Sequence, residues 1–80
     1  MFEKEIILSS FDEVKDFVDR ANLFDFDIEL ASGKYIVNAK SIMGVFSLDL
    51  TKPVKMVAHT ETVAQLAKKT EQFWAKGNKK

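Results

Sequence analysis

The sequence predicts an α+β fold, an open-faced sandwich in which a four-stranded antiparallel sheet carries three helices on one face. Two observations predict it. Strand-like segments alternate apolar and polar side chains, which indicates a sheet with one buried and one solvent-exposed face. Three other segments repeat apolar residues at helical spacing, so their stripes can cover the buried face. The elements follow one another in the order β-α-β-β-α-β-α.

Length and composition restrict the possible classes of protein. The chain has 80 residues, 46% hydrophobic and 11% aromatic, as expected for a globular protein. We predict a single domain over residues 1–77 and a polar tail over 78–80. Lys plus Arg and Asp plus Glu both number 12, so no general attraction to nucleic acid or anionic membranes is expected. No signal peptide or apolar run of about 18 residues is present, and we predict a cytoplasmic protein.

The first strand is predicted over Glu3–Leu8, and the first helix over Ser10–Asn22. Ser10 and Glu13 fit a capping box, in which the serine accepts from the amide three residues on and the glutamate reaches back. The helix is supported by five apolar residues at helical spacing. They are Phe11, Val14, Phe17, Val18 and Ala21.

The residue pattern in the middle of the chain predicts a β-hairpin followed by a short helix. Phe24–Ala31 alternates apolar and acidic residues and predicts a strand. Residues 32–34 form a turn, and Tyr35–Ala39 returns as the next strand. Ser41–Leu48 is then predicted as a short helix.

The residue pattern in the last third of the chain predicts a strand followed by a long helix. Pro53 suits a strand start at Val54, and the strand runs to His59. Thr60 is the predicted cap of a helix whose apolar positions reach Trp74, and Gly77 is its predicted stop. The basic residues at the end of the chain, Lys68, Lys69 and 76–80, favour a solvated helix end over a binding site.

The short helix is unusually apolar. With Ser41 as the N-cap, Val45 and Leu48 form one stripe, which we predict to be in the core. Ile42, Met43 and Phe46 form another, which we predict to be mostly at the surface as a docking patch. The alternative is that the last helix covers all five apolar residues.

Most kinds of catalytic or metal site are excluded by residue type. His59 is the only histidine, and there is no cysteine, which leaves only carboxylates as metal ligands, without calcium-loop spacing. There is no Gly-rich phosphate loop and no Ser-His-Asp set. We therefore predict no metal, no cofactor and no catalytic residue.

The segment N-A-K-S-I-M-G-V-F-S-L, Asn38 to Leu48, resembles the regulatory-serine segment of HPr, the histidine-containing phosphocarrier of the sugar phosphotransferase system. The segment A-N-L-F-D-F-D-I-E-L, Ala21 to Leu30, is similar to the end of the first helix and the second strand of that family. The resemblance extends from about Asp16 to His59, and the order of elements also matches.

The same comparison shows a departure at the family's phosphorylated histidine. HPr proteins carry a loop of the form G-[LIV]-H-A-R-P-A before the first helix. Counting back from Ser41 without gaps places Ser10 where the histidine would be and Asp12 where the arginine would be. The connection is also short, which indicates a deletion of the loop, and an acidic Asp12 would repel phosphate. The resemblance therefore does not imply phosphoryl transfer, and we predict that the protein is not an enzyme.

What the resemblance does imply is regulation at Ser41. In many Gram-positive bacteria the matching serine is phosphorylated by HPr kinase/phosphorylase, and relatives without the histidine act only in carbon catabolite regulation. The expected partners are that kinase and a transcription regulator of catabolite control or a metabolic enzyme. They would bind through Lys40, Ile42, Met43 and Phe46. Two alternatives remain open: a phosphoryl carrier that uses His59 or Ser10, and an interaction domain without any phosphorylation.

Overall fold

The computed structural model describes residues 1–75. A single 3₁₀ turn, Glu71–Phe73, follows the last helix. The elements are β1 (Phe2–Ile6), α1 (Phe11–Ala21), β2 (Ile28–Ser32), β3 (Tyr35–Asn38), α2 (Ile42–Phe46), β4 (Val54–Ala58) and α3 (Ala64–Thr70).

The four strands form one antiparallel sheet in the order β1-β4-β2-β3. β4 lies in the middle and pairs with both β1 and β2, so that Ala58 is opposite Phe2 on one side and Ile28 on the other. The predicted fold class is therefore confirmed.

The two faces of the sheet differ as the alternation predicts. The side chains of Ile28, Leu30 and Met56 point to the helices and are at most 1% exposed. Burying each such side chain contributes about 1.5–3 kcal/mol. On the opposite face, Lys55 lies 3.6 Å from Glu3 in a solvent-exposed ion pair. An ion pair of this kind adds only about 0.2–1 kcal/mol, so the apolar face holds the sheet against the helices.

Helix α1 begins as predicted, but its cap differs in one bond. Ser10 is the N-cap, and its Oγ accepts a hydrogen bond from the Glu13 amide at 3.1 Å. The Glu13 carboxylate does not return to the Ser10 amide. It accepts from the backbone amide and the hydroxyl of Ser9, at 2.8 and 2.9 Å. The side chain of Glu13 thus stabilises the chain one residue before the predicted position.

The β2–β3 hairpin turns over Gly33 and Lys34, between the paired residues Ser32 and Tyr35. Gly33 has φ +61° and is the only described residue with positive φ. A two-residue hairpin loop with glycine at its first position is typical of a type II′ turn, whose twist matches the strands.

The prediction that β2 starts at Phe24 is wrong, because β2 starts at Ile28. The neighbouring strand β4 ends opposite Ile28, at Ala58, so the preceding residues have no strand to pair with. Phe24 and Phe26 instead stack on each other, with ring centroids 5.2 Å apart. The alternation of burial extends beyond the hydrogen-bonded strand.

The last helix is shorter than predicted. Its N-cap is Val63 rather than Thr60, because the Thr60 hydroxyl accepts from the Thr62 amide in a local turn at 3.0 Å. The helix does not reach Trp74, which is extended and forms an isolated bridge with Ile6 at the edge of β1. Trp74 is half-buried and packs against the core. The predicted stop at Gly77 and the tail 78–80 lie outside the described residues.

The remaining boundaries differ by one to two residues from the predictions. β1 ends at Ile6 rather than Leu8, β3 at Asn38 rather than Ala39, and β4 at Ala58 rather than His59. Helix α2 ends at Phe46 rather than Leu48. None of the helices within residues 1–75 has the length and apolar character needed to cross a membrane.

Candidate functional site

Ser41 is the N-cap of α2. Its backbone is extended, with φ −107° and ψ 113°, and its Oγ accepts a hydrogen bond from the Gly44 amide at 3.1 Å. The residue is exposed. A hydroxyl in this position satisfies one of the amide groups that a helix leaves unpaired at its start. The predicted cap is therefore present, and its hydroxyl lies at the protein surface.

Gly44 leaves room for this cap. A Cβ atom at Gly44 would lie 3.3 Å from the Oγ of Ser41 and 3.5 Å from the Cβ of Val37 on β3. The contact with Ser41 Oγ is tighter than most Cβ contacts, so the hydroxyl would have to shift slightly, whereas the contact with Val37 is an ordinary van der Waals distance. A glycine inside a helix costs about 1 kcal/mol relative to alanine, and here it leaves room for the Ser41 cap.

The apolar residues of α2 divide between core and surface. Val45 is fully buried and Leu48 is 8% exposed, as predicted. Met43 is 78% and Phe46 40% exposed, so the alternative in which all five are covered does not hold. Ile42 differs from the prediction: it is only partly exposed and packs against the core. The reason is that α2 packs against both β3 and α1, which leaves a narrower exposed face than the helical spacing predicts.

Lys40, the residue before the cap, is held by the fold. Its Nζ donates to the carbonyl oxygen of Phe24 at 2.6 Å, and its own carbonyl accepts from Asn22 Nδ2 at 3.1 Å. Its side chain is half-buried. Lys40 therefore joins the end of α1 to the start of α2, in addition to any contact it makes with a partner.

Helices α1 and α2 run in opposite directions. Asn22 at the end of α1 contacts Lys40 before α2, whereas Phe11 at the start of α1 stacks on Phe46 at the end of α2, with centroids 5.3 Å and planes 11° apart. This aromatic pair could not be predicted from the sequence. Both residues are apolar, but helical spacing carries no information on which residues of two separate helices meet.

A shallow surface groove of about 400 Å³ lies beside this stacked pair. We call it the α1–α2 groove. Its walls include the short connection between β1 and α1 and the segment after α2. The lining residues are Ile7, Leu8, Ser9, Ser10, Phe11, Val14, Phe46, Leu50 and Thr51.

The two residues considered as substitutes for a phosphorylated histidine lie at opposite ends of the sheet. Ser10 follows the end of β1 and uses its Oγ as the α1 cap. His59 follows β4, whose last residue pairs with Phe2 at the start of β1. The Nε2 of His59 lies 3.4 Å from a carboxylate oxygen of Glu29. The two side chains cannot form one site, and the described residues contain no group of three potential metal ligands among His, Cys, Asp and Glu.

No protein-family model and no curated protein sequence matches this chain. Solved structures do match. HPr-C-His from Thermoanaerobacter tengcongensis is 28% identical, with a TM-score of 0.76 over 90% of this chain and 89% of that one. The catabolite repression protein Crh of Bacillus subtilis is also 28% identical, with a TM-score of 0.62 over 89% of this chain and 88% of that one. The chain therefore has the HPr-like fold and is similar in sequence to two HPr-like proteins.

A further HPr-like structure agrees in fold alone. The histidine-containing phosphocarrier protein of Mycoplasma is 19% identical, with a TM-score of 0.68 over 89% of this chain and 86% of that one. HPr-like proteins are phosphocarriers rather than enzymes in the usual sense. In this chain, only four residues, 7–10, separate β1 from α1, and they include no histidine, arginine or proline.

Proposed function

We propose that this protein is a non-catalytic regulatory module of the HPr-like family, controlled by phosphorylation of Ser41. It acts in carbon catabolite regulation in the cytoplasm, and it is not an enzyme. The observation that carries the proposal is the exposed hydroxyl of Ser41, which caps α2 next to the exposed side chain of Met43. The similarity to the catabolite repression protein Crh supports this role.

The local structure favours a phosphoryl group on Ser41. A phosphoserine carries a charge of about −1.5 to −2 at neutral pH. The Oγ already lies against the first amides of α2, which favour negative charge. Acidic residues are absent from the first turn of this helix. The phosphorylated protein is therefore expected to keep its fold.

The modification would act on the adjoining surface. Met43 and Phe46 are exposed on α2, whereas Ile42 and Lys40 contribute only their accessible parts. Added charge at the start of α2 changes which protein can dock there. The proposed partners are HPr kinase/phosphorylase and a transcription regulator of catabolite control or a metabolic enzyme. We propose no nucleic-acid or membrane partner.

The test is labelling with HPr kinase/phosphorylase and ATP. The wild-type protein should take up an acid-stable phosphate, and Ser41→Ala should not. Ser47→Ala is the matched control, because Ser47 lies at the other end of the same helix and donates its hydroxyl to the Gly44 carbonyl at 2.6 Å. The control should be labelled like the wild type. Absence of label, with a kinase preparation that labels a genuine HPr, would favour an unmodified interaction domain.

A further inference from the structure

One outer edge of the sheet, that of β1, is covered by the residues that follow α3. The Ile7 amide donates to the Phe73 carbonyl at 2.7 Å, and the Ala75 amide donates to the Glu5 carbonyl at 3.0 Å. Between these two bonds, Trp74 forms the bridge to β1. Because the backbone groups of this stretch already have partners in the same chain, they are not available to a strand of another molecule.

The other outer edge, that of β3, has no such cover. Within residues 1–75, no backbone hydrogen bond from outside the sheet reaches residues 35–37. Tyr35 is 73% and Ile36 64% exposed, and Tyr35–Asn38 contains neither a charged residue nor a proline. Soluble proteins usually protect an edge strand by charge, proline, a bulge or a covering segment. The edge of β3 is therefore open to pairing.

The register identifies the backbone groups that face this open edge. In an antiparallel pair, hydrogen-bonded and non-hydrogen-bonded residue pairs alternate. The Ala39 amide donates to the Ile28 carbonyl at 2.9 Å. Ala31 and Ile36 lie three pairs further along the same hairpin and so form a non-hydrogen-bonded pair. The N–H and the C=O of Ile36 therefore point away from β2 and are available to another strand.

The charges beside the edge are complementary to those of a second copy. Lys34, in the turn before β3, is exposed and forms no ion pair among residues 1–75. Glu29 lies on β2 opposite Asn38, and its carboxylate is 3.4 Å from Nε2 of His59. If two β3 strands pair antiparallel with Ile36 opposite Ile36, Lys34 of one copy lies opposite Asn38 of the other. Glu29 is then two strand spacings from that lysine, about 10 Å between backbones, which the two side chains together span.

We propose that the edge of β3 pairs antiparallel with β3 of a second copy of this chain. The Ile36 amide of each copy donates to the Ile36 carbonyl of the other, and Lys34 of each copy reaches Glu29 of the other. The contact is the same patch on both molecules, so it closes as a two-fold dimer, and the covered edge of β1 opposes further growth. This inference goes beyond the proposed function and does not depend on it.

The first test is the mass of the full-length protein in solution. Four residues a side bury less than the roughly 1,200 Å² of a stable interface, so we expect a reversible dimer with a dissociation constant of about 0.1–1 mM. Sedimentation equilibrium over a range of concentrations measures it. The Ile36 amide should also become more protected from hydrogen exchange as the concentration rises. A protein that remains monomeric at about 2 mM would overturn the proposal.

Substitutions at Ile36 then locate the contact. Ile36→Pro removes an amide that gives no hydrogen bond to β2, so the fold should remain, as circular dichroism checks, and the dimer should weaken at least about tenfold. Ile36→Lys should have a similar effect. Leu23→Lys is the matched control, because Leu23 is also 64% exposed but lies after α1, and it should dimerise like the wild type. Unchanged dimerisation in Ile36→Lys, or an equal loss in Leu23→Lys, would overturn the proposal.

A charge exchange tests the antiparallel register itself. Lys34→Glu places two carboxylates together across the contact, and Glu29→Lys places two ammonium groups together. Each single variant should weaken the dimer about threefold to tenfold, since the charge pair occurs twice. The double variant restores opposite charges and should return to within about twofold of the wild type. A double variant that dimerises no better than the single variants would overturn the proposed pairing.

Discussion

Phe11 at the start of α1 and Phe46 at the end of α2 stack with their ring centroids 5.3 Å apart and their planes 11° from parallel. The pair joins the first helix to the short helix at the point where the connection from β1 enters α1. Both rings remain partly exposed, so the contact forms part of the protein surface. It places the apolar end of α2 and the groove in one continuous region.

The aromatic pair should contribute little to stability. Phe11→Ala and Phe46→Ala are expected to show a coupling of about 0.5 kcal/mol in a double-mutant cycle, the lower end for aromatic pairs, because both rings are solvated. Chemical denaturation of the wild type, both single variants and the double variant measures it. A coupling of several kcal/mol would show that the pair belongs to the core.

The two faces of the α2 segment should respond differently to truncation. Leu48→Ala removes a side chain that is 8% exposed and should lower the free energy of unfolding by about 2–5 kcal/mol. Met43→Ala removes a side chain that is 78% exposed and should change it by no more than about 0.5 kcal/mol. Urea titrations of both variants test this. Similar losses in the two variants would contradict the orientation of α2.

The Ser41 cap should be measurable without any kinase. Ser41→Ala should lower the free energy of unfolding by about 0.5–2 kcal/mol, because the Gly44 amide loses its acceptor. Ser41→Asp should recover most of this loss, since a carboxylate also accepts from that amide and suits the helix start. Thermal or urea unfolding of both variants is the measurement. A more stable Ser41→Ala would contradict the role of the hydroxyl as a cap.

Asp49 should titrate below the ordinary aspartate range. The Thr51 hydroxyl and then the Thr51 amide lower its pKa from the usual 3.8, because both donate to the ionised carboxylate. Because the pKa of Asp49 is lower in the folded than in the unfolded state, its ionised form stabilises the fold. This contribution is fully present above the unfolded-state pKa and is lost as the pH falls through the folded-state pKa. Thr51→Val should raise the pKa of Asp49 towards 3.8, as measured by NMR titration of its carboxyl carbon. An unchanged pKa would contradict the assigned cause.

We expect no phosphoryl transfer to this protein from enzyme I, the phosphoryl donor of HPr in the sugar phosphotransferase system. The connection before α1 contains no histidine, the hydroxyl of Ser10 is used as a cap, and His59 lies at the other end of the sheet. Incubation with enzyme I and phosphoenolpyruvate should label a genuine HPr in the same tube and leave this protein unlabelled. Acid-labile phosphate that appears on the wild type and is lost in His59→Ala would overturn this expectation.

Local patterns were sufficient where one segment determines its own structure. Ser10 and Ser41 were predicted as caps because a cap needs only a hydroxyl and the amide three residues later. Val45 and Leu48 were placed in the core because residues three apart lie on one helix face. The resemblance of the segment around Ser41 to HPr also indicated the fold that the structure has.

Boundaries failed where they depend on a distant partner. β2 starts at Ile28 because β4 ends opposite it, and the alternation of Phe24 and Phe26 does not contain that information. The last helix was extended to Trp74 on spacing alone, whereas the structure places Trp74 against Ile6 at the edge of β1.

The sequence by itself determined the fold class, the order of the elements and the two serine caps, because hydrophobic period and capping act over a few neighbouring residues. Only the tertiary structure decided that Ile42 is partly covered and that Phe11 meets Phe46 beside the α1–α2 groove. The physical reason is that each of these relationships depends on how helices and loops distant in the chain pack on the sheet, and packing is a property of both partners.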